Sequence, residues 1–365
     1  MKNQSFINEV FWLRCIACLA VTLGHAIVSG NNYFTGSSIY HFGSYVLHMA
    51  VLFGVPVFIF ISELLLANKY TEKVPDTFIR RRAQILLFPY LVMSIIYALI
   101  SIETWTFQEV ITRIAMSVFL GDSAVYFILI IFQFYFLHLL LRKYLNRFSA
   151  KYTIPIALLI NFLYLAFFNF TEVPDNAVGY FIWTKGYWMP FTGWLFYFVL
   201  GFYCGRNYRA VLYFFRNKWL LVIPFLSLVL MLLMNNMFHL DYDSKRVDML
   251  LYASSVIFLI MYVSSSITKL PKLVMFISNY SFSIFLLNLF YFRLLSAVEP
   301  PDFLNLPSYT VLLFLFTLLL CIGTAYLFNQ FRFGKYVVGR IMTYKVENKS
   351  KSAYQFPAVA VKESE

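Results

Sequence analysis

Arg14 and His25 are the two side chains best suited to chemistry and least at home where they stand. Both fall inside residues 8–30, an apolar stretch long enough to cross a bilayer. A cation in hydrocarbon costs about 2.5–3.5 kcal/mol on insertion scales, so it is rarely there without a role. The two are eleven residues apart. At ~100° per residue that is close to three turns, which puts both on one helical stripe roughly 16 Å apart along the axis. An imidazole titrates at about 6.5 and serves as general base or acid at neutral pH. A guanidinium offers a planar fork to carboxylates and phosphates. The plainer alternatives are a histidine hydrogen-bonded at a helix end and an arginine that snorkels to the headgroups, which lie only ~9 Å away. Their common face favours a polar stripe inside a bundle.

Arg80, Arg81 and Arg82 open the next candidate cluster and lead into Leu87-Phe88-Pro89-Tyr90. Three arginines at a helix entry are what topology signals require. They would also dock a phosphate-bearing donor, and Pro89 would loosen the helix beside a cavity. Glu63 and His138 fall near helix ends, where an interfacial charge is tolerable, and Gln133 is deeper. Arg293 is expected to snorkel, and His41 and His48 border the first outer loop, where they could flank an acceptor. Cys15, Cys18, Cys204 and Cys321 all sit in apolar segments and read as packing residues, with no further Cys or His nearby to complete a metal site. No G-x-S-x-G, P-loop, H-E-x-x-H or dinucleotide fingerprint is present.

The elements that must position these groups are apolar helices. The 365-residue chain is 61% hydrophobic and 13% charged, more apolar surface than a water-soluble fold can bury. Apolar runs at 9–29, 45–67, 83–102, 124–141, 154–170, 188–205, 219–237, 249–267, 273–295 and 308–330 predict an all-α, polytopic membrane bundle of about ten transmembrane helices. The first run lacks the start and cleavage site of a signal peptide. With the N-terminus inside, 23 of the 29 Lys and Arg residues fall on the cytoplasmic side, and Arg113, Lys185, Lys245 and Arg246 fall outside. Both termini are therefore expected in the cytoplasm. The net charge of +12 is then a topology signal and gives no support to nucleic-acid binding.

Taken together, Trp12-Leu13-Arg14 followed after ten intervening residues by His25, a proline-bearing second span ending in Phe60-Ile61-Ser62, and the arginine run before Leu-Phe-Pro-Tyr resemble the integral-membrane acyltransferase-3 family. Gly193-Trp-Leu-Phe-Tyr-Phe-Val-Leu-Gly201 and Asn279-Tyr-Ser-Phe-Ser-Ile-Phe-Leu-Leu strengthen the likeness, which covers roughly residues 8–335. The aromatic span 126–140 and the Phe-Pro-Tyr after the arginines are most similar to the branch that O-succinylates poly-N-acetylglucosamine. Two positions depart from the family pattern: Glu63 stands where Gly is frequent, and Asn288 where a late His is expected.

The resemblance implies a ten-helix plasma-membrane enzyme, residues 1–335, followed by a basic, disordered cytoplasmic tail over 336–365. It implies acetyl or succinyl transfer from cytoplasmic acyl-CoA, a co-substrate with no resident cofactor or metal, to an envelope polysaccharide or lipid-linked sugar. His25 would be the catalytic base or acyl relay, and Arg14, Arg80, Arg81 and Arg82 would hold the donor phosphates. A glycan synthase is a candidate partner. The competing readings are an exporter or flippase accessory, whose polar stripe guides a substrate without chemistry, and a subunit that scaffolds a synthase.

Overall fold

A segment immersed in hydrocarbon must satisfy its backbone polar groups internally, and a helix does so within itself. The structure, a computed structural model, describes residues 8–34, 39–70, 73–123, 125–208, 210–211, 218–267 and 269–342. Among those residues it contains helices and no strand. In chain order they are α1 (Asn8–Asn31), α2 (Ile39–Val51), α3 (Gly54–Lys69), α4 (Phe78–Ile100), α5 (Phe107–Phe119), α6 (Phe127–Arg147) and α7 (Ala150–Phe170). There follow α8 (Ala177–Phe181), α9 (Leu195–Arg206), α10 (Ile223–Phe238), α11 (Met249–Ser265), α12 (Lys272–Leu295) and α13 (Leu306–Asn329).

Seven helical stretches among the described residues are long and apolar enough to cross a membrane: α1, α4, α6, α7, α12, α13 and the combined α2–α3 stretch Ile39–Lys69. Each of the ten expected segments contains a helix, but α9, α10 and α11 have 12, 16 and 17 residues and fall short of a full span by length. Apolar residues on the outside of the bundle mark the surface a bilayer would cover. Leu159, Phe162 and Leu163 on α7, Phe225 and Leu226 on α10, and Leu319 on α13 are all exposed.

α1 lies at the centre and packs against α2, α3, α11, α12 and α13, which is why its polar stripe faces protein. α3 and α9 approach most closely, because Gly201 and Gly205 present bare backbone to Phe60 and Leu64. A Cβ at Gly201 would lie 2.7 Å from the Phe60 carbonyl oxygen, and one at Gly205 would overlap the Leu64 carbonyl.

Residues 103–123, expected as an outer loop, contain α5. Thr106 caps it by accepting from the Glu109 N–H at 3.3 Å. The helix then runs back along α4, where Ser117 Oγ donates to the Ser94 carbonyl at 2.8 Å and the Tyr90 hydroxyl donates to that of Val118 at 2.7 Å. After α13 the chain makes a short turn at Gly334–Tyr336 and folds back under the bundle as far as Met342. The disorder expected further along the tail concerns 343–365, which lie outside the described residues.

Candidate active site

The first turns of α1 and α4 and the segment after α13 meet at one end of the bundle, here called the basic end. Between them is a cavity of about 370 Å³. Its cations are Arg14, Arg82 and Arg340, and its apolar walls include Phe58, Phe127 and Phe285. A second chamber of about 160 Å³ is lined by Arg81, Gln84, Ile85, Lys335, Tyr336 and Arg340, so Ile85 and Arg340 border both. Among the described residues no Asp or Glu lines either space. Several cations around one cavity give it a positive potential.

Each arginine is held by its element. Arg14 Nη1 reaches Met342 Sδ at 3.0 Å. Arg82 lies one turn beyond Phe78 on α4, and its guanidinium carbon is 5.5 Å from that ring's centre and 5.4 Å from the Tyr135 ring, a double cation–π contact that aims the fork into the cavity. Arg80 is exposed and lines neither space. The arginine run therefore divides, with Arg82 in the main cavity, Arg81 in the side chamber and Arg80 turned away. Arg340 escaped the sequence reading, because a lone arginine in a polar tail carries no signal of where the tail folds.

His25 stands at the other end of α1, partly buried, with its ring centre 6.2 Å from that of Phe292 on α12. His48 on α2 borders the same turn: a Cβ at Gly24 would lie 3.8 Å from its ring. The His25 imidazole makes no hydrogen bond among the described residues, which leaves both nitrogens for a substrate. The structure thus brings Arg14 and Arg82 into one cavity, puts Arg81 in the adjoining chamber, and leaves His25 about three helical turns, ~16 Å, from Arg14.

Near His25, α12 carries an inserted side chain. The Tyr97 hydroxyl of α4 donates to the Leu286 carbonyl at 2.9 Å and accepts from the Phe290 N–H at 3.0 Å, the two groups an uninterrupted helix joins directly. Asn288, at the late-His position, is buried between them in sequence, and its Oδ1 accepts from the Leu289 N–H. Arg293, exposed near the end of α12, donates to Ser101 Oγ at 2.8 Å and lies 5.8 Å from the Tyr97 ring centre.

Two charged groups depart from expectation. Arg246, expected in an outer loop, is 1% exposed and pairs in two-pronged fashion with Asp248, while also donating to Asn235 Oδ1 and the Met231 carbonyl. It pins the connection between α10 and α11. The neighbouring Lys245 lies 4.5 Å over the Trp188 ring and 3.1 Å from Asp243. Burial alone would lower its pKa, but Asp243, Tyr126 and Asp241 together more than offset this and the pKa stands above the ordinary lysine value.

Glu63 and His138 are not interfacial either. Both are fully buried and joined to each other, because α3 and α6 pack side by side and turn these residues inward. The four cysteines are buried and unbridged, and no group of three or more metal-ligating side chains occurs among the described residues.

The acyltransferase-domain model matches residues 7–326. The chain is 35% identical over 347 residues to the "Putative membrane-bound acyltransferase YfiQ" of Bacillus subtilis, covering 92% of this chain and 95% of the relative. It is 28% identical over 342 residues to the "Probable poly-beta-1,6-N-acetyl-D-glucosamine export protein" of Staphylococcus aureus strain N315, covering 91% and 95%. The similarly named protein of Staphylococcus epidermidis is 27% identical over 347 residues, covering 93% and 96%. No solved structure matches. With one domain model spanning nearly the whole helical bundle, the chain belongs to the membrane acyltransferase-3 family.

Proposed function

We propose that this protein is a plasma-membrane O-acyltransferase that takes an acetyl or succinyl group from cytoplasmic acyl-CoA and places it on a hydroxyl of an envelope polysaccharide or lipid-linked sugar. The observation that carries this reading is the division of labour along α1. Arg14 stands in a cavity it shares with Arg82 and Arg340 at one end, and His25, with no hydrogen bond among the described residues, stands at the other.

In this reading the bundle crosses the membrane ten times with both termini in the cytoplasm, so the basic end faces the donor. Arg14, Arg81 and Arg82 neutralise the donor phosphates, with Arg80 at the cytosolic approach. The pantetheine arm carries the thioester along the apolar wall toward His25. His25 takes the proton from the acceptor hydroxyl, whose oxygen attacks the thioester carbonyl. The carbon–sulfur bond breaks, and coenzyme A leaves as the thiol once it regains that proton. His25 acting as an acyl relay, with the imidazole carrying the group between the two, uses the same residues.

The printed name of the staphylococcal relatives favours a second reading, glycan export without acyl transfer. Purified protein in proteoliposomes, given labelled acyl-CoA and acceptor glycan, separates the two. Transfer of label that is lost in His25→Ala supports the enzyme. Glycan movement that requires His25, with no label transferred by the wild type, overturns it.

A further inference from the structure

The segment after α13 folds back onto a fixed path beside the cationic cavity. Gly334 turns the chain where a Cβ would overlap the Phe328 carbonyl, so the backbone can fold back tightly over the helix end. Asn329 then clamps the returning strand, donating to the Gly339 carbonyl at 3.1 Å and accepting from the Ile341 N–H at 3.4 Å. Gly339 has φ +81° and lies so close to Phe282 that a Cβ would sit 2.5 Å from its ring. Val338 is 2% exposed, and the Met342 N–H donates to the Asn279 carbonyl of α12. This fixed path leaves Arg340 bordering both chambers and Lys335 bordering the outer one.

Resting on the acyl-CoA reading above, we infer that this strap reads the nucleotide end of the donor, and that the side chamber formed by Arg81, Lys335 and Arg340 receives its 3′-phosphate. The order of chambers matches the order of chemistry along the donor. The main cavity is mostly apolar, as a pantetheine arm requires. Arg340 stands where it meets the side chamber, with Arg82 in the main cavity, two cations for a pyrophosphate. Beyond the shared residues Ile85 and Arg340 are two more cations, Arg81 and Lys335, suited to a separate dianionic group. A donor lacking the 3′-phosphate leaves these cations facing one another without a counter-ion.

The test is binding of free coenzyme A and of 3′-dephospho-coenzyme A to the purified full-length protein. Wild type is expected to prefer coenzyme A on the order of tenfold or more, the affinity of one charge-assisted hydrogen bond. Lys335→Gln is expected to abolish most of that preference by weakening coenzyme A alone, and Arg340→Gln to weaken both ligands. Lys151→Gln, on exposed α7 and bordering neither chamber, controls for a general loss of positive charge. Equal affinity of the wild type for the two ligands, or a preference that survives Lys335→Gln, overturns the inference while leaving the donor reading standing. Failure of the wild type to bind either ligand overturns the donor reading, and the inference with it.

Discussion

Glu63 Oε1 lies 2.6 Å from His138 Nδ1 with both side chains fully buried, so α3 and α6 are tied by a polar bond in the interior of the bundle. Removing one partner strands the other, at a cost of about 3–5 kcal/mol for a broken buried pair. Glu63→Ala and His138→Ala should each lower the melting temperature in detergent, while the double variant should lose clearly less than the sum. Additive losses in that double-mutant cycle would show that the two groups are not coupled.

His25 loses no hydrogen bond among the described residues when replaced, and glutamine keeps much of its bulk against Phe292. His25→Gln should therefore keep the melting temperature and lower acyl transfer by about 10²–10⁴, the share that general acid–base catalysis contributes. A variant that is equally stable and retains wild-type turnover would remove His25 from the chemistry.

Arg14 and Arg82 can be tested by keeping charge and changing shape. Lysine preserves the cation but not the planar fork, and at position 82 it also weakens the double contact with Phe78 and Tyr135. Both Arg→Lys variants should raise the KM for the donor about tenfold with a smaller effect on kcat. Unchanged donor dependence would mean that the anion binds elsewhere.

The helices were legible in the sequence because twenty-residue apolar runs have one way to satisfy a backbone in lipid. The Arg14–His25 stripe was legible for a similar reason: helical periodicity alone fixes which face two residues share. What could not be read depended on contacts far apart in the chain. Glu63 and His138 are separated by 75 residues, and nothing local to either announces the other. Arg340 enters the cavity only because Gly334 and Gly339 fold the chain back, a path that a polar, basic composition disguises as a loose tail. The arginine run pointed to this end of the bundle without the division among its members, since consecutive helical residues point in different directions.

The close approach of α3 and α9 makes another sharp prediction. At Gly205 an added methyl meets the Leu64 backbone, which cannot yield as a flexible side chain can. Gly205→Ala should destabilise the protein by about 1–3 kcal/mol, the usual cost of overpacking. Thermal unfolding in detergent reads this directly, and an unchanged midpoint would mean that the two helices have slack to separate.

The Tyr97 hydroxyl between Leu286 and Phe290 makes α4 a strut keyed into a notch of its neighbour. One end of that strut carries Arg81 and Arg82; the notch is two residues from Phe292, against which His25 rests. A rod fixed in this way transmits displacement along its length. On the proposed donor reading, a tilt of α4 as its arginines close on an anion, carried past Pro89, would reach Phe290, and Tyr97 would gear the two ends of the bundle to each other.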